Sequence, residues 1–363
     1  MEQLPTPPST KTTRDRLSRI RSALKRLTTP LLPDDYAVLL NPLWSTRELR
    51  GLIVSAHKQA DAVHLKIKPG WGVPVSFRAG QYIGIGVEID GRFVWRSYSL
   101  TGAPSLGDGL LSITVKAVEK GKLSQHLVGM AKPKMVVRLA APAGDFHLED
   151  PPPPALAFIG AGAGITPIIS MVRTLAEQDH LRHCDTYLLY SVRAEECCFF
   201  EEELRDLARR YPTFRVHINI TSTEGRITPD HIHEFCPDIA DRVVYACGPE
   251  KMLDAYEEWA TAQGVTLKTE RFTFSRESDA QGGTIDFGNG RSLSVDGATT
   301  ILEAAEELQV GLPFGCRMGI CQTCVCTLKT GMALNLKTGE AYEAGTRLRT
   351  CVSVACGDIE LAH

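Results

Sequence analysis

The sequence predicts a multidomain fold in which an antiparallel β-barrel or sandwich is followed by a parallel α/β sheet and then by a small cysteine-bearing unit. Three observations carry this reading. Short apolar alternation without helical periods runs from about 47 to 148, a strand-then-helix rhythm follows to about 272, and four cysteines crowd into "PFGCRMGICQTCVC" at 313–326. With 363 residues the chain has room for two or three domains, at roughly 150 residues each. Apolar residues make up 43% and charged residues 23%, the balance of a globular chain and not of a disordered one. A net charge of −3 gives no overall footprint for nucleic acid, so none is expected as a partner.

Residues 1–46 read as a basic extension, with Lys11, Arg14, Arg16, Arg19, Arg21, Lys25 and Arg26 set against Glu2 and Asp15. Within it, "RDRLSRIRSALKRLT" at 14–28 spaces Leu17, Ile20, Leu24 and Leu27 by three and four, a basic amphipathic helix pattern. Such a helix is either a solvated or frayed tail, or a surface for an anionic membrane or an acidic partner.

Residues 47–150 form the first domain. "RGLIVSAHK", "AVHLKIKP", "GQYIGIGVEI", "FVWRSYSL", "LLSITVKAV" and "MVVRLAAP" are its strands, punctuated by glycine and proline. Four prolines at 151–154 open the second domain, 151–274, where "ALAFIGAG", "TYLLYSV", "FRVHINI" and "RVVYACG" alternate with helical segments. Alternation of this kind signals a parallel sheet with helices on its faces. The uncharged run 155–172 reaches membrane-span length, but three glycines and a proline divide it into strand, loop and helix start. "SRESDAQGG" at 275–283 reads as a linker, and 284–363 as the third domain.

No secretory signal pattern is present at the N-terminus, so the eleven cysteines are expected in a reducing, cytoplasmic setting where thiols serve metals or chemistry. Cys316, Cys321 and Cys324 have C-x4-C-x2-C spacing with Cys351 downstream, which is the plant-type [2Fe–2S] arrangement. Structural zinc more often draws on two separate C-x2-C pairs; zinc and inert buried thiols stay as alternatives. Gly319 and other unbulky residues between the ligands let the loop wrap closely and aim N–H groups at the sulfurs. Cys184, Cys197, Cys198, Cys236, Cys326 and Cys356 read as small core residues.

Four further segments carry chemistry. "RSYSL" at 96–100 supplies a cation for a phosphate, a ring for a flat cofactor and a hydroxyl for a ring nitrogen. "GKLSQHL" at 121–127 looks like a helix start whose Leu123 and Ser124 N–H groups suit a pyrophosphate. "GAGAGITP" at 160–167 lies between strand and helix and permits close backbone approach to a nucleotide. "YACGPEKM" at 245–252 puts Cys247 at the carboxyl edge of a parallel strand, where open α/β sheets bind ligands.

With "ERF" at 270–272, these motifs resemble the ferredoxin–NADP reductase superfamily, in family order over about 47–272. The last eighty residues resemble a plant-type ferredoxin domain. The resemblance implies a flavin-binding antiparallel β-barrel, a nicotinamide-binding α/β domain and an α+β β-grasp ferredoxin domain. It implies Arg96, Tyr98 and Ser99 at the flavin and Gly121 and Ser124 at its phosphates. Gly160, Gly162, Gly248 and Pro249 are implied at the dinucleotide, Thr166 beside the nicotinamide, and Cys247 and Glu270 at the point where hydride crosses. Ser99, Cys247 and Glu270 are thus the candidate catalytic residues, and Phe272 is the best match to the aromatic that stacks on the flavin.

The expected function is electron transfer from NAD(P)H through FAD and a [2Fe–2S] cluster to an external acceptor. FAD is favoured over FMN because the 121–124 helix start offers a place for a second phosphate. Arg193 suits the 2′-phosphate of NADPH, whereas Glu195 and Glu196 beside it suit the free ribose of NADH. The lead-in "PLLPDDYAVLLNPLWS" at 30–45 resembles reductase partners of membrane acyl-CoA desaturases, which places the protein peripherally at the inner membrane face. The rivals are the reductase component of a soluble aromatic-ring or hydrocarbon oxygenase and a non-catalytic electron-relay subunit.

Overall fold

The computed structural model describes residues 33–45, 48–89, 92–104, 108–119, 121–272, 280, 282–314, 319 and 322–362. The amphipathic pattern at 14–28 lies outside them. The lead-in is described from α1 (Pro33–Leu40) onward, and Trp44 just after it stacks on Trp71 at 5.2 Å between centroids.

The first sheet contains β1 (Arg50–Gln59), β2 (Ala62–Pro69), β3 (Tyr82–Ile89), β4 (Arg92–Ser99), β5 (Leu111–Lys116) and β6 (Val136–Leu139). Their order is β4-β3-β6-β1-β2-β5, with every pair antiparallel. Leu100, just past β4, bridges Ile113 in β5, and the Thr101 N–H donates to the Ser112 carbonyl at 2.8 Å. The two edges therefore meet and the sheet closes as a barrel. Ile53, Val63, Leu65, Ile67, Ile83, Ile85 and Leu139 fill its interior, as the alternation of these strands requires. Helix α2 (Lys122–Met130) sends Leu123 and Leu127 into the same core.

The second sheet runs β11-β10-β7-β8-β9, all parallel, through β7 (Ala155–Ala161), β8 (Asp185–Val192), β9 (Phe214–Ile220), β10 (Val243–Cys247) and β11 (Leu267–Glu270). Helices α3 (Ile165–Glu177), α4 (Glu201–Arg210) and α5 (Glu250–Gln263) belong to this unit. The uncharged run 155–172 is thus strand, loop and helix start, and no helix among the described residues is long and apolar enough to cross a membrane. The chain leaves β7 toward β8 on one side and returns to β10 on the other, so a switch point lies between β7 and β10. Ala62, Ala79, Phe146 and Leu148 of the barrel share one apolar cluster with α3 and this sheet. The first two units therefore have a continuous core.

At the opposite, amino end of the sheet, Arg242 is fully buried and binds Asp185 at 2.6 Å, Asp238 at 2.7 Å and the Leu156 carbonyl at 3.2 Å. Its hydrogen bonds hold Asp238 down at about 2.

The third unit is a mixed sheet, β13-β12-β19-β14-β17, formed by β12 (Gly283–Asp286), β13 (Ser292–Val295), β14 (Val325–Thr330), β17 (Arg347–Arg349) and β19 (Ile359–Ala362). A smaller sheet contains β15 (Met332–Asn335), β16 (Ala341–Glu343) and β18 (Ser353–Ala355). Between them packs α6 (Ile301–Glu307), started by a reciprocal cap between Thr300 and Glu303. One helix gripped by a mixed sheet is the β-grasp arrangement. The segment expected as linker over 275–283 ends inside this unit: Gly283 opens β12, and the Gly282 carbonyl accepts from the Gly357 N–H at 2.7 Å.

Replacing Arg242 removes three sheet-end contacts at once. Arg242→Met is expected to cost about 2–3 kcal/mol in urea unfolding. Asp238 contributes stability above its ordinary value of 3.8 that is lost as pH falls through about 2, and the variant should lack that acid dependence.

Candidate functional site

The end of β4 is the first part of the site. Antiparallel register sets Tyr82 opposite Ser99, Ile83 opposite Tyr98 and Ile85 opposite Arg96. Arg96 is exposed and its Nη1 donates to the Trp95 carbonyl at 2.7 Å. Among the described residues, the hydroxyls of Ser97, Tyr98 and Ser99 are buried without a hydrogen-bond partner, and burial raises the Tyr98 phenol well above its usual range against the pull of Arg96. A buried hydroxyl left unpaired costs about 1–3 kcal/mol. Side chains alternate along the strand, so Ser97 and Ser99 share one face while Tyr98 packs against the barrel core. Unpaired hydroxyls at this strand end mark a place where a polar ligand supplies the missing bonds, and the donor set fits a flavin ring.

Gly121 caps α2, and a Cβ there would stand 2.4 Å from Ser124 Oγ. That hydroxyl accepts from the Val118 N–H at 3.2 Å and donates to the Gly121 carbonyl at 3.1 Å. The side chain of Ser124 is thus engaged in folding the turn. What α2 offers a phosphate is the N–H groups of its first turn, with buried Leu123 fixing its angle.

The switch point brings "GAGAGITP" against "ACGPEKM". Cys247 pairs with Gly160 on one side and with Glu270 on the other. A Cβ on Gly164 would lie 1.9 Å from the Cys247 carbonyl, and one on Gly248 would lie 3.0 Å from Ala161 Cβ, so the two loops interlock with no room for a side chain at Gly164 and little at Gly248. Gly162, at φ +54, has open space around its missing Cβ, which leaves backbone accessible to a ligand. Pro249 caps α5 and lines the same opening. The Thr166 hydroxyl is committed to the Ala163 carbonyl at 2.8 Å.

Electrostatics keep this end of the sheet neutral. Burial, then the neighbouring Glu270, raises the Cys247 thiol well above its usual range. Burial pushes Glu270 up to about 8, opposed by Lys337 of the third unit. Glu270 Oε2 is enclosed and has no hydrogen-bond partner among the described residues. Lys337 Nζ lies 3.5 Å from Tyr82 OH, so one cation approaches both β3, beside Ser99, and Glu270.

Beyond the interlocked loops opens a cleft of about 1120 Å³, lined by Gly162, Gly164, Arg193, Ser222, Arg226, Gly248, Pro249 and Phe272. Lys116 and Lys251 add positive charge, and Glu250 is its acidic residue. Glu195 instead lines a different groove, beside His64 and Phe200. Phe272 is 46% exposed at the edge of this cleft. Sequence reasoning did not single out Gly164, Arg226 or Lys337; the first stands within the quoted "GAGAGITP", whereas nothing local marks the other two.

In the third unit, Cys324 and Cys351 are buried with their sulfurs 3.1 Å apart. The Gly319 N–H reaches Cys351 Sγ at 3.2 Å, and the N–H and hydroxyl of Thr350 both donate to the Cys324 carbonyl at 3.0 Å. Adjacent buried thiols approached by a backbone N–H fit a cluster's ligand set. Cys316 and Cys321 lie outside the described residues. Cys326 is half-buried within β14, and Cys184, Cys198 and Cys236 are buried in the second unit.

A closed antiparallel barrel with orphaned hydroxyls, a parallel sheet with an interlocked switch point and a β-grasp unit with paired thiols define the class of pyridine-nucleotide flavin and iron–sulfur reductases. Family models agree: an oxidoreductase FAD-binding domain matches 69–148, an oxidoreductase NAD-binding domain 158–258, and a 2Fe-2S iron–sulfur cluster binding domain 285–356. An NADPH oxidoreductase of Mycobacterium tuberculosis is 45% identical over 94% of this chain and 91% of its own. The glycine betaine monooxygenase reductase subunit of Chromohalobacter salexigens is 27% identical over 68% and 76%. The structure of phthalate dioxygenase reductase superposes with a TM-score of 0.61 at 25% identity, covering 87% of this chain and 98% of that one. The chain belongs to the ferredoxin-reductase family of oxidoreductases and is an NAD(P)H-dependent electron-transfer reductase that uses FAD and a [2Fe–2S] cluster.

The raised value at Glu270 makes its effect on stability run with acid. Its contribution is complete below its ordinary 4.5 and is lost as pH rises through about 8, at about 1.4 kcal/mol per pH unit in that window. Thermal unfolding of the full chain should show this slope, Glu270→Gln should flatten it, and Lys337→Gln should extend it to higher pH.

Proposed function

We propose that the chain takes hydride from NADPH and hands single electrons to a separate oxygen-activating enzyme. The observation that carries the site reading is the set of buried, unpartnered polar atoms, Tyr98 OH, Ser99 Oγ and Glu270 Oε2, at the ends of strands bridged by Lys337. When bound, FAD supplies a two-electron hydride acceptor that releases electrons singly, and the cluster a one-electron carrier. Tyr98, Ser99 and Arg96 would hold the FAD, with the Tyr98 ring against the flavin, the Ser99 hydroxyl on a ring nitrogen and the Arg96 guanidinium on a phosphate. The first turn of α2, from Gly121, holds the second phosphate. Cys316, Cys321, Cys324 and Cys351 hold the iron.

Thr166 and the neutral Cys247 thiol flank the nicotinamide and orient it without acting as nucleophiles. Glu270 keeps its proton at neutral pH, so no carboxylate repels the incoming dinucleotide. Gly160, Gly162, Gly248 and Pro249 let backbone approach its phosphates, and Phe272 covers the cleft. Arg193 and Arg226 bind the 2′-phosphate. The charge of the cleft supports NADPH over NADH, because Glu195 faces another groove.

For the acceptor, the likeness to a dioxygenase reductase and a monooxygenase reductase subunit supports an oxygenase. The lead-in at 30–45 and the basic pattern at 14–28 support its finer form, a membrane acyl-CoA desaturase met at the inner membrane face. Deleting residues 1–29 should then weaken transfer to vesicle-embedded desaturase while ferricyanide reduction stays intact; equal loss of both, or full activity with a soluble ring oxygenase instead, refutes that form.

Anaerobic stopped-flow mixing with NADPH or NADH, following flavin and cluster bands separately, tests the core reading. Flavin should bleach before the cluster, and faster with NADPH. Loss of a charge-assisted phosphate contact is worth about 1.5–3 kcal/mol, so Arg226→Ala should raise KM for NADPH roughly ten- to hundredfold and leave NADH unchanged. An equal effect on both nucleotides would sink the 2′-phosphate assignment.

A further inference from the structure

Helix α3 begins at the nicotinamide loop and runs along the barrel. One turn beyond Thr166, the fully buried Ser170 donates from Oγ to the Gly102 carbonyl at 2.6 Å. Arg173, nearly one turn further, donates from Nη1 to the Thr101 carbonyl at 2.6 Å. Thr101 and Gly102 follow Ser99 almost directly, so two side chains of one helix grip the chain where it leaves the flavin-side strand. The rest of the Arg173 guanidinium is also occupied. Its Nε and Nη2 form a fork on the Glu203 carboxylate at 2.7 and 2.6 Å, and its centre lies 5.0 Å from the ring of Phe200.

Phe200 is held at φ +62, a left-handed conformation that is costly for an aromatic residue. Its ring meets His64 of β2 edge-on at 5.1 Å. The seam is tight as well: a Cβ on Gly80 would lie 2.4 Å from Met171 Cε. Apolar residues would seal such an interface at least as well as an ion pair. What they lack is direction, and a fork plus two short bonds to carbonyls fixes one register between helix and strand end.

We propose that Ser170 and Arg173 are positioning residues for hydride transfer, setting how the nicotinamide loop 160–166 stands against the flavin strand 96–99. The proposal rests on the assignment of those segments given above. The step they serve moves one hydride, with its electron pair, from dihydronicotinamide to flavin; the first is oxidised, the second reduced, and neither Ser170 nor Arg173 exchanges a proton. Thr166 and Arg173 are separated by about 10 Å of helix at 1.5 Å per residue, so a shift at Arg173 reappears at the loop. Reacting atoms must approach to about 3–3.5 Å, and a misplacement of about 1 Å costs on the order of a hundredfold.

The test compares the full holoprotein with Arg173→Met, Arg173→Lys and Ser170→Ala. Single-turnover flavin reduction is measured with NADPH and with NADPH deuterated at the transferring position, beside nucleotide Kd, amide exchange over 99–104 and cluster reduction after photoreduction of the flavin. In Arg173→Met, hydride transfer should fall about ten- to hundredfold with an isotope effect that becomes steeply temperature-dependent. Exchange at 99–104 should rise, Kd should stay within about twofold, and flavin-to-cluster transfer should be unchanged; Arg173→Lys should recover part of the rate. An unchanged rate despite faster exchange would reduce the contact to plain structure, and parallel loss of rate and affinity would make it a binding contact. Ser170→Ala carries the same outcomes if Arg173→Met does not fold. A parent protein whose flavin neither nucleotide reduces would overturn the functional reading instead.

Discussion

The parallel pairing of β7 with β10 is the constraint on which the site depends. It sets Gly160 beside Cys247, and the loops that leave the two strands must then cross within van der Waals contact. Gly164 against the Cys247 carbonyl and Gly248 against Ala161 show how little room remains. Because α3 starts in one of these loops and α5 follows the other, the same pairing aims both helices. The cleft is the space left beyond the interlock, which is why it falls at the carboxyl end of the sheet. The barrel is then placed by α3, through a shared apolar core and the contacts of Ser170 and Arg173.

Polar groups are treated differently at the two ends of the parallel sheet. At the amino end, Arg242 is satisfied by two carboxylates and backbone carbonyls, so a buried charge becomes a brace. At the carboxyl end, Glu270 Oε2 and the hydroxyls of Tyr98 and Ser99 are enclosed and unpaired. Protein stability alone favours pairing such atoms or replacing them with apolar groups. Their presence is understood as the cost of a site preorganised for a polar ligand.

Much of this was legible in the sequence because it is local. The alternation in "AVHLKIKP" and "GQYIGIGVEI" is the alternation of a barrel wall, and it appears as β2 and β3 with their apolar residues inward. The cysteine spacing is a loop property, and the strand-then-helix rhythm after 154 is a periodicity. What was not legible is tertiary. Arg226 lies far along the chain from Arg193, and only the β7-β8-β9 order puts both in one cleft. Ser124 looks in sequence like a phosphate ligand, yet its hydroxyl closes its own turn. Glu195 lies two residues beyond Arg193 in the chain and still lines another groove, because it opens the 3-10 turn Glu195–Cys197 that follows β8.

Lys337 shows how the third unit joins this arrangement. Its turn is held from within: the Lys337 N–H donates to Asn335 Oδ1 at 2.9 Å, and the Leu336 N–H to the Val352 carbonyl at 2.8 Å, one residue from Cys351. Outward, its ammonium reaches Tyr82, which pairs with Ser99, and its charge favours ionised Glu270 against the burial that opposes ionisation. A short chain of contacts therefore runs from beside Cys351 of the third unit to the barrel strand and the Glu270 carboxyl. Coulomb interactions at low dielectric act over this range with little screening. The protonation of Glu270 is consequently a property of the assembled three-unit chain: without Lys337 in place, burial alone would hold the carboxyl higher still.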